Sequence, residues 1–208
     1  MAYNQKNNPF KSRKDLSSAS NNSKLVILQD TTWSGTVNLD GTVQVGEGVK
    51  LTVAKGTTIN GGRIEVWGSL IVNGQSNSRI NLNSVDIAIG SKYQQTPGTI
   101  DIQYATINEG SLFTNNGYGA YNLKDSILDS TSFRIFYPKA DVSIARNIFK
   151  DMQPIQVLAN NTSGSGAVTF EKSFSRDSRK KVLIYKFIIY HCIYNLITKK
   201  NLILKKNN

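Results

Sequence analysis

The chain has 208 residues, 39% of them hydrophobic and 9% aromatic, and a formal net charge of +11. That length supports one domain with a substantial core. A single cysteine, Cys192, excludes an internal disulfide, and the single histidine, His191, excludes histidine-centred chemistry elsewhere in the chain.

The charge is unevenly placed. Residues 1–24 carry five Lys/Arg against one Asp, residues 25–170 ten against eleven acids, and residues 171–208 ten against two. The body is therefore neutral, which is not the surface of a phosphate-tracking protein. No specific nucleic-acid partner is expected, and the basic ends read as solvated tails.

In chain order, residues 1–24 form a polar, basic, Ser/Asn-rich arm, read as disordered or ordered only by a partner. This arm has no apolar run of the kind a secretory signal peptide needs, so signal-dependent secretion is not expected.

Residues 25–175 repeat. Ile102-Gln103-Tyr104-Ala105-Thr106-Ile107 returns as Leu123-Lys124-Asp125-Ser126-Ile127-Leu128, as Ile144-Ala145-Arg146-Asn147-Ile148-Phe149, and more weakly from Phe170 to Ser175. Upstream, Val43-Gln44-Val45 returns as Ile64-Glu65-Val66 and Val85-Asp86-Ile87, Leu51 as Leu70, and Ile59 as Ile80. A fixed period near 21 residues is the mark of a solenoid. Each unit alternates apolar and polar residues and is bounded by Gly, Asn, Asp or Ser, which reads as short strands joined by tight corners. The expectation is an all-β, right-handed parallel β-helix of about seven rungs. A two-sheet β-sandwich is the alternative that the constant phase disfavours.

Residues 176–208 abandon the turn vocabulary of the body: from Lys181 onward there is no Gly, Pro, Ser, Ala, Asp or Glu. Three readings stay open. They are the product of a frameshift in A/T-rich DNA, a capping helix, and a membrane segment. The last is disfavoured because the apolar stretch falls short of a span.

The body holds neither His nor Cys, which excludes a Ser-His-Asp triad, a Cys-His pair and a His/Cys zinc site there. It has no phosphate-binding glycine motif and no calcium-binding repeat, so no cofactor and no metal are expected. What remains is carboxylate chemistry. Asp86, Asp101, Asp125, Asp129, Asp141, Asp151, Glu65 and Glu109 are scattered, and a pair at suitable separation hydrolyses glycosides. They read instead as solvated acids, and no catalytic residue is assigned.

Tyr104, Asp125, Arg146 and Lys172 share one phase of the repeat. That phase predicts a cross-rung ion pair of Asp125 with Arg146 that fixes register. The small or amide residues Ala105, Ser126, Asn147 and Ser173 share the next phase and suit a stacked corner. Tyr93, Tyr118, Tyr121 and Tyr137 are the candidate ligand contacts, because exposed aromatic rings pair with sugar faces. The runs 91–97 and 115–119 read as insertions that carry such contacts. Phe113, Phe133, Phe149 and Phe170 are expected in the core, with Trp33 capping the first rung.

The runs Trp33–Leu39, Val49–Ile59 and Ala140–Phe149 resemble rungs of the right-handed parallel β-helix proteins of the pectin-lyase-like class, and the resemblance covers residues 25–175. That class includes polysaccharide lyases, glycosidases, surface adhesins and phage tailspikes. The paired-Asp and Gly-His-Gly pattern of polygalacturonases and the Arg-centred motif of pectate lyases are absent here. The run Asn4–Lys11 resembles virion structural proteins of marine phages. The resemblance implies a noncatalytic structural or adhesion module of a virion, tail-associated, or of a cell surface, with polysaccharide as ligand and a homotrimer by analogy with tailspikes. A truncated polysaccharide lyase or glycoside hydrolase and a purely structural spacer are the alternatives.

Overall fold

The computed structural model describes residues 24–89, 98–115, 119–152, 155–158, 166–177, 180–189 and 193–195. Short alternating segments bury one side of a strand and expose the other, so they become stable only when stacked on equivalent segments. The chain stacks them in seven levels, about six turns from first to last.

The first level holds β1 (Lys24–Ile27), β2 (Thr31–Trp33) and β3 (Thr36–Asn38). The second holds β4 (Thr42–Val45), β5 (Lys50–Val53) and β6 (Thr58–Asn60). The third holds β7 (Arg63–Val66), β8 (Ser69–Asn73) and β9 (Ile80–Asn83), and the fourth β10 (Asp86–Ile89), β11 (Thr99–Gln103) and β12 (Ala105–Asn108). Then come β13 (Ser111–Asn115), β14 (Tyr121–Lys124) and β15 (Ile127–Asp129), followed by β16 (Ser132–Phe136), β17 (Val142–Ala145) and β18 (Ile148–Lys150). The seventh level is β19 (Gln156–Leu158) and the long β20 (Val168–Asp177).

Each strand pairs in parallel with its equivalent one level on, which gives three faces. Face one runs β1, β4, β7, β10, β13, β16, β19. Face two runs β2, β5, β8, β11, β14, β17 and the first half of β20. Face three runs β3, β6, β9, β12, β15, β18 and the second half of β20. The described residues are all-β, with no helix among them.

Ile102, Leu123, Ile144 and Phe170 stack in that order and are all fully buried, as the repeat predicts. Two upstream pairings differ. Ile64 pairs with Ile87 rather than Val85, and Ile59 with Leu82 rather than Ile80. A slip of two residues keeps every side chain on its own side of the sheet, so alternation alone does not detect it. Val85 and Ile80 are buried as well.

Corners between the faces need backbone that turns sharply. Between faces two and three, Tyr104, Asp125, Arg146 and Lys172 all take positive φ, between 45° and 54°. Between faces three and one, Ser84, Glu109, Ser130 and Asp151 do the same, where an earlier level uses Gly61. Non-glycine residues in this region are uncommon. Here the level below compensates: the Tyr104, Asp125 and Arg146 N–H groups donate to the carbonyls of Lys124, Ala145 and Glu171 at 3.3, 3.1 and 2.8 Å. The corner between faces one and two is instead close-packed at several of its levels. A Cβ on Gly119 would overlap the Gly98 carbonyl, and one on Gly166 that of Ala140.

The residues after the positive-φ column form a buried polar ladder. Ser126 Oγ accepts the Ala105 N–H at 3.1 Å, Asn147 Oδ1 the Ser126 N–H at 2.9 Å, and Ser173 Oγ the Asn147 N–H at 3.2 Å. Asn147 also donates through Nδ2 to the Leu123 carbonyl at 2.8 Å. These backbone groups have no water to turn to, so the side chains must satisfy them.

The two ends differ. At the first level Trp33 is only 4% exposed and plugs the coil beside Ile27. At the other end β21 (Lys180–Ile189) runs antiparallel along β20, and β22 (Ile193–Asn195) antiparallel along β19. The described part of the 176–208 tail is thus strand and not the helix allowed for above. Its Val, Ile, Tyr and Phe content favours a pleated partner over a helix.

Asn147→Ala removes the acceptor of the buried Ser126 N–H and a second donor to the Leu123 carbonyl. The expected loss is about 1–3 kcal/mol, read as a lower urea midpoint at unchanged m-value.

Candidate functional site

The outward side of face one is the most varied surface of the coil. Its outward positions form two columns because strand register is strict. One runs Arg63, Asp86, Ser111, Ser132 and the other Glu65, Ala88, Phe113, Arg134. Between them lies a depression of about 220 Å³ lined by Arg63, Asp86, Ala88, Phe113, Arg134 and the two serines.

Each wall is held in place. Ser111 Oγ donates to Asp86 Oδ1 at 2.6 Å. Phe113 meets Phe136 edge to face, with ring centroids 5.8 Å apart and planes at 88°. Glu65 accepts from Lys24 at 2.8 Å and faces Arg63 Nε at 3.4 Å, while the Lys24 ammonium sits 5.5 Å from the Trp67 ring centroid. Lys24 therefore covers one side of Trp67. Arg134 is exposed and lines the depression. The depression offers a ring, two guanidinium groups and two hydroxyls around an apolar Ala88 floor. Its one lining acid, Asp86, accepts from Ser111, and Glu65 beside the depression is held by Lys24 and Arg63, an arrangement suited to recognition more than to proton transfer.

Of the tyrosines expected to contact a ligand, Tyr93 and Tyr118 lie outside the described residues. Tyr137 is half-buried just past β16, its N–H donating to the Leu158 carbonyl at 2.6 Å. Tyr121 is corrected by the structure. It takes an inward position between Ile100 and Val142, is completely buried, and packs against Phe133 at 6.0 Å. No ligand at the surface reaches it. Its hydroxyl has no hydrogen-bond partner, and burial pushes the phenol far above its ordinary ionisation range. Phe113 is the opposite correction: expected in the core, it faces outward and is only partly buried, whereas Phe133, Phe149 and Phe170 are core as expected. Arg63 and Arg134 carry no role in the sequence reading, and Phe113 only that of a core residue. The usable signal was parity: Leu112 and Phe133 are buried, so Phe113 and Arg134, one residue further on, must face out.

Asp125 and Arg146 do pair across levels. Arg146 Nε reaches Asp125 Oδ1 at 2.7 Å and Nη2 reaches Oδ2 at 2.6 Å, a two-pronged contact. Arg79 arrives from the preceding corner, donates through Nη1 to the Ala105 and Asp125 carbonyls at 3.1 and 3.0 Å, and lies 5.7 Å from the Tyr104 ring centroid. This cluster ties four levels together. The hydrogen bonds from Arg146 hold the Asp125 carboxyl below its usual range, and Asp125 in turn raises Arg146. Among the described residues no group of three His, Cys, Asp or Glu is placed to hold a metal ion.

Tyr121→Phe removes an unpaired buried hydroxyl without changing shape. Thermal melts should show unchanged or raised stability, by up to about 1 kcal/mol, where a role as surface contact would leave stability alone and weaken ligand binding.

The Arg146 side chain is half exposed, so solvent screens its pair with Asp125. A double-mutant cycle with Asp125→Asn and Arg146→Gln should give a coupling of about 0.5–1 kcal/mol. Because the folded carboxyl is depressed, that coupling is present above the unfolded pKa near about 4 and fades as pH falls through the lower folded value. Urea melts between neutral and acid pH check the sign.

No family model, curated protein or solved structure matches the chain, so the assignment to the β-solenoids stands on its own geometry.

Proposed function

We propose that the chain is a noncatalytic β-solenoid module of a virion or cell-surface structure that binds polysaccharide along face one. The observation that carries this reading is the depression between Arg63, Asp86, Phe113 and Arg134. Sugar rings present apolar faces and a rim of hydroxyls, and a partly exposed phenylalanine flanked by guanidinium and hydroxyl groups complements both. Strict register extends such positions along the coil axis, which suits an extended chain of sugars more than a compact ligand. The ladders at the corners support a stiff shaft that presents this face. A side-by-side homotrimer of shafts is the assembly the reading implies, checked by light scattering of the purified protein.

The binding test is a panel of soluble polysaccharides titrated by calorimetry. Phe113→Ala and Arg134→Ala should each weaken binding about tenfold, equivalent to about 1.4 kcal/mol, with the melting curve unchanged for Arg134→Ala and lowered for Phe113→Ala, which loses its contact with Phe136. Release of new reducing ends from any of these polysaccharides would replace the binding reading by an enzymatic one. Binding that survives both substitutions would move the site off face one.

A further inference from the structure

The outward side of face three carries a pattern that glycan binding on face one does not use. Its first four levels present two columns of uncharged polar side chains. Thr36, Thr58, Asn81 and Thr106 form one, and Asn38, Asn60, Asn83 and Asn108 the other. Between the columns, Val37, Ile59, Leu82 and Ile107 point into the coil, and the last three are completely buried.

The second column is rigid. Asn60 Nδ2 donates to Asn38 Oδ1, Asn83 to Asn60, and Asn108 to Asn83, each at 2.9 Å. Three equal bonds fix four amides at one spacing, and each amide keeps one N–H and part of its oxygen free toward solvent. Strand geometry sets the two repeats of the array at about 4.8 Å along the coil and about 6.6 Å across it. Charges lie only at its borders. Arg79 stands at the corner with its guanidinium committed to the Ala105 and Asp125 carbonyls. Below Asn108 the column ends in the Asp129–Lys150 ion pair at 3.9 Å, beside Ile127 and Ile148.

We propose that this face binds ice, by holding a layer of water at repeats that the crystal continues. A single hydroxyl or amide gains almost nothing by exchanging liquid water for ordered water. A preorganised array is different, because the protein supplies the order and each further water placed in register adds to the same lattice. Three features on this face serve that end: two fixed repeats on the few-ångström scale of an ordered water lattice, hydrogen-bonding groups of both kinds, and no charge to draw water out of the lattice. The threonine methyl groups add apolar area against which an ordered layer packs.

The experiment is to grow an ice shell slowly in a dilute solution of the full chain and measure how the protein divides between ice and liquid, with recrystallisation of fine ice grains as a second readout. Wild type should be enriched in the ice and should slow grain growth. Thr58→Tyr, in the middle of the array, should return both readouts to those of an inert protein. Ser143→Tyr, exposed on face two, should change neither. Thr106→Tyr serves as the second array variant should Thr58→Tyr fail to show the wild-type melt. Exclusion of the wild type from ice overturns the proposal, as does equal behaviour of the Thr58 and Ser143 variants. Adsorption to crystalline cellulose or chitin through this face, without enrichment in ice, overturns it in favour of a solid polysaccharide. None of these outcomes bears on face one, whose test uses soluble polysaccharide and different residues.

Discussion

A strand of three or four residues cannot satisfy its own backbone, and every level of this coil depends on the next for its hydrogen bonds. That dependence explains the residues at the corners. Where the chain turns, the regular ladder is interrupted, and buried N–H groups of Ala105, Ser126 and Asn147 would be left unpaired. Ser126, Asn147 and Ser173 each supply an oxygen one level down. The same turns place Tyr104, Asp125, Arg146 and Lys172 in a backbone region that non-glycine residues avoid, and the first three are held there because their N–H groups find carbonyls in the adjacent level. Core and corner are thus one problem. Aliphatic stacking sets the vertical spacing, and the polar ladder is satisfied only at that spacing.

This linkage also decides what was legible in the sequence. In the last four levels the steps are constant over two turns, so Leu123 over Ile144 and Asp125 beside Arg146 followed from counting. In the first levels the steps vary, because the connection from β8 to β9 takes up more chain than the one from β5 to β6, and counting in steps of 21 misplaced Val85 and Ile80 by two. The error left the inside of the coil intact and falsified only the pairings. Aromatic residues were harder. Tyr121 and Phe113 each sit in a polar-looking stretch near a corner, and their opposite fates depend on parity relative to Leu123 and Leu112. An unpaired hydroxyl in a core also runs against the ordinary rule for tyrosine, which is why Tyr121 read as a surface residue. The asparagine ladder on face three was legible in principle, since Asn38, Asn60, Asn83 and Asn108 recur at nearly constant phase. It was obscured because asparagine also marks turns.

The surfaces divide the labour of the coil. Face one gathers charge, rings and hydroxyls around a depression. The upper part of face three is uncharged and repetitive. The corner between faces two and three is bound by Arg79, Asp125 and Arg146 across four levels. A scaffold whose interior is uniform leaves its outward positions free to differ from face to face, because an outward substitution leaves the inward stack untouched. Function on such a scaffold is read from columns of side chains, and isolated residues carry little weight.

The antiparallel run of β21 and β22 gives the molecule a direction. A parallel edge invites the next parallel strand, from the same chain or another, and so serves as a template for growth. At the β19–β20 end that invitation is withdrawn, since the exposed hydrogen-bonding groups are already taken by strands pointing the other way. At the opposite end no described strand pairs with the outer edges of β1, β2 and β3, and Leu28 stands 79% exposed beside them. Among the described residues the two ends of the coil therefore differ in kind, with parallel strands at one and antiparallel partners at the other.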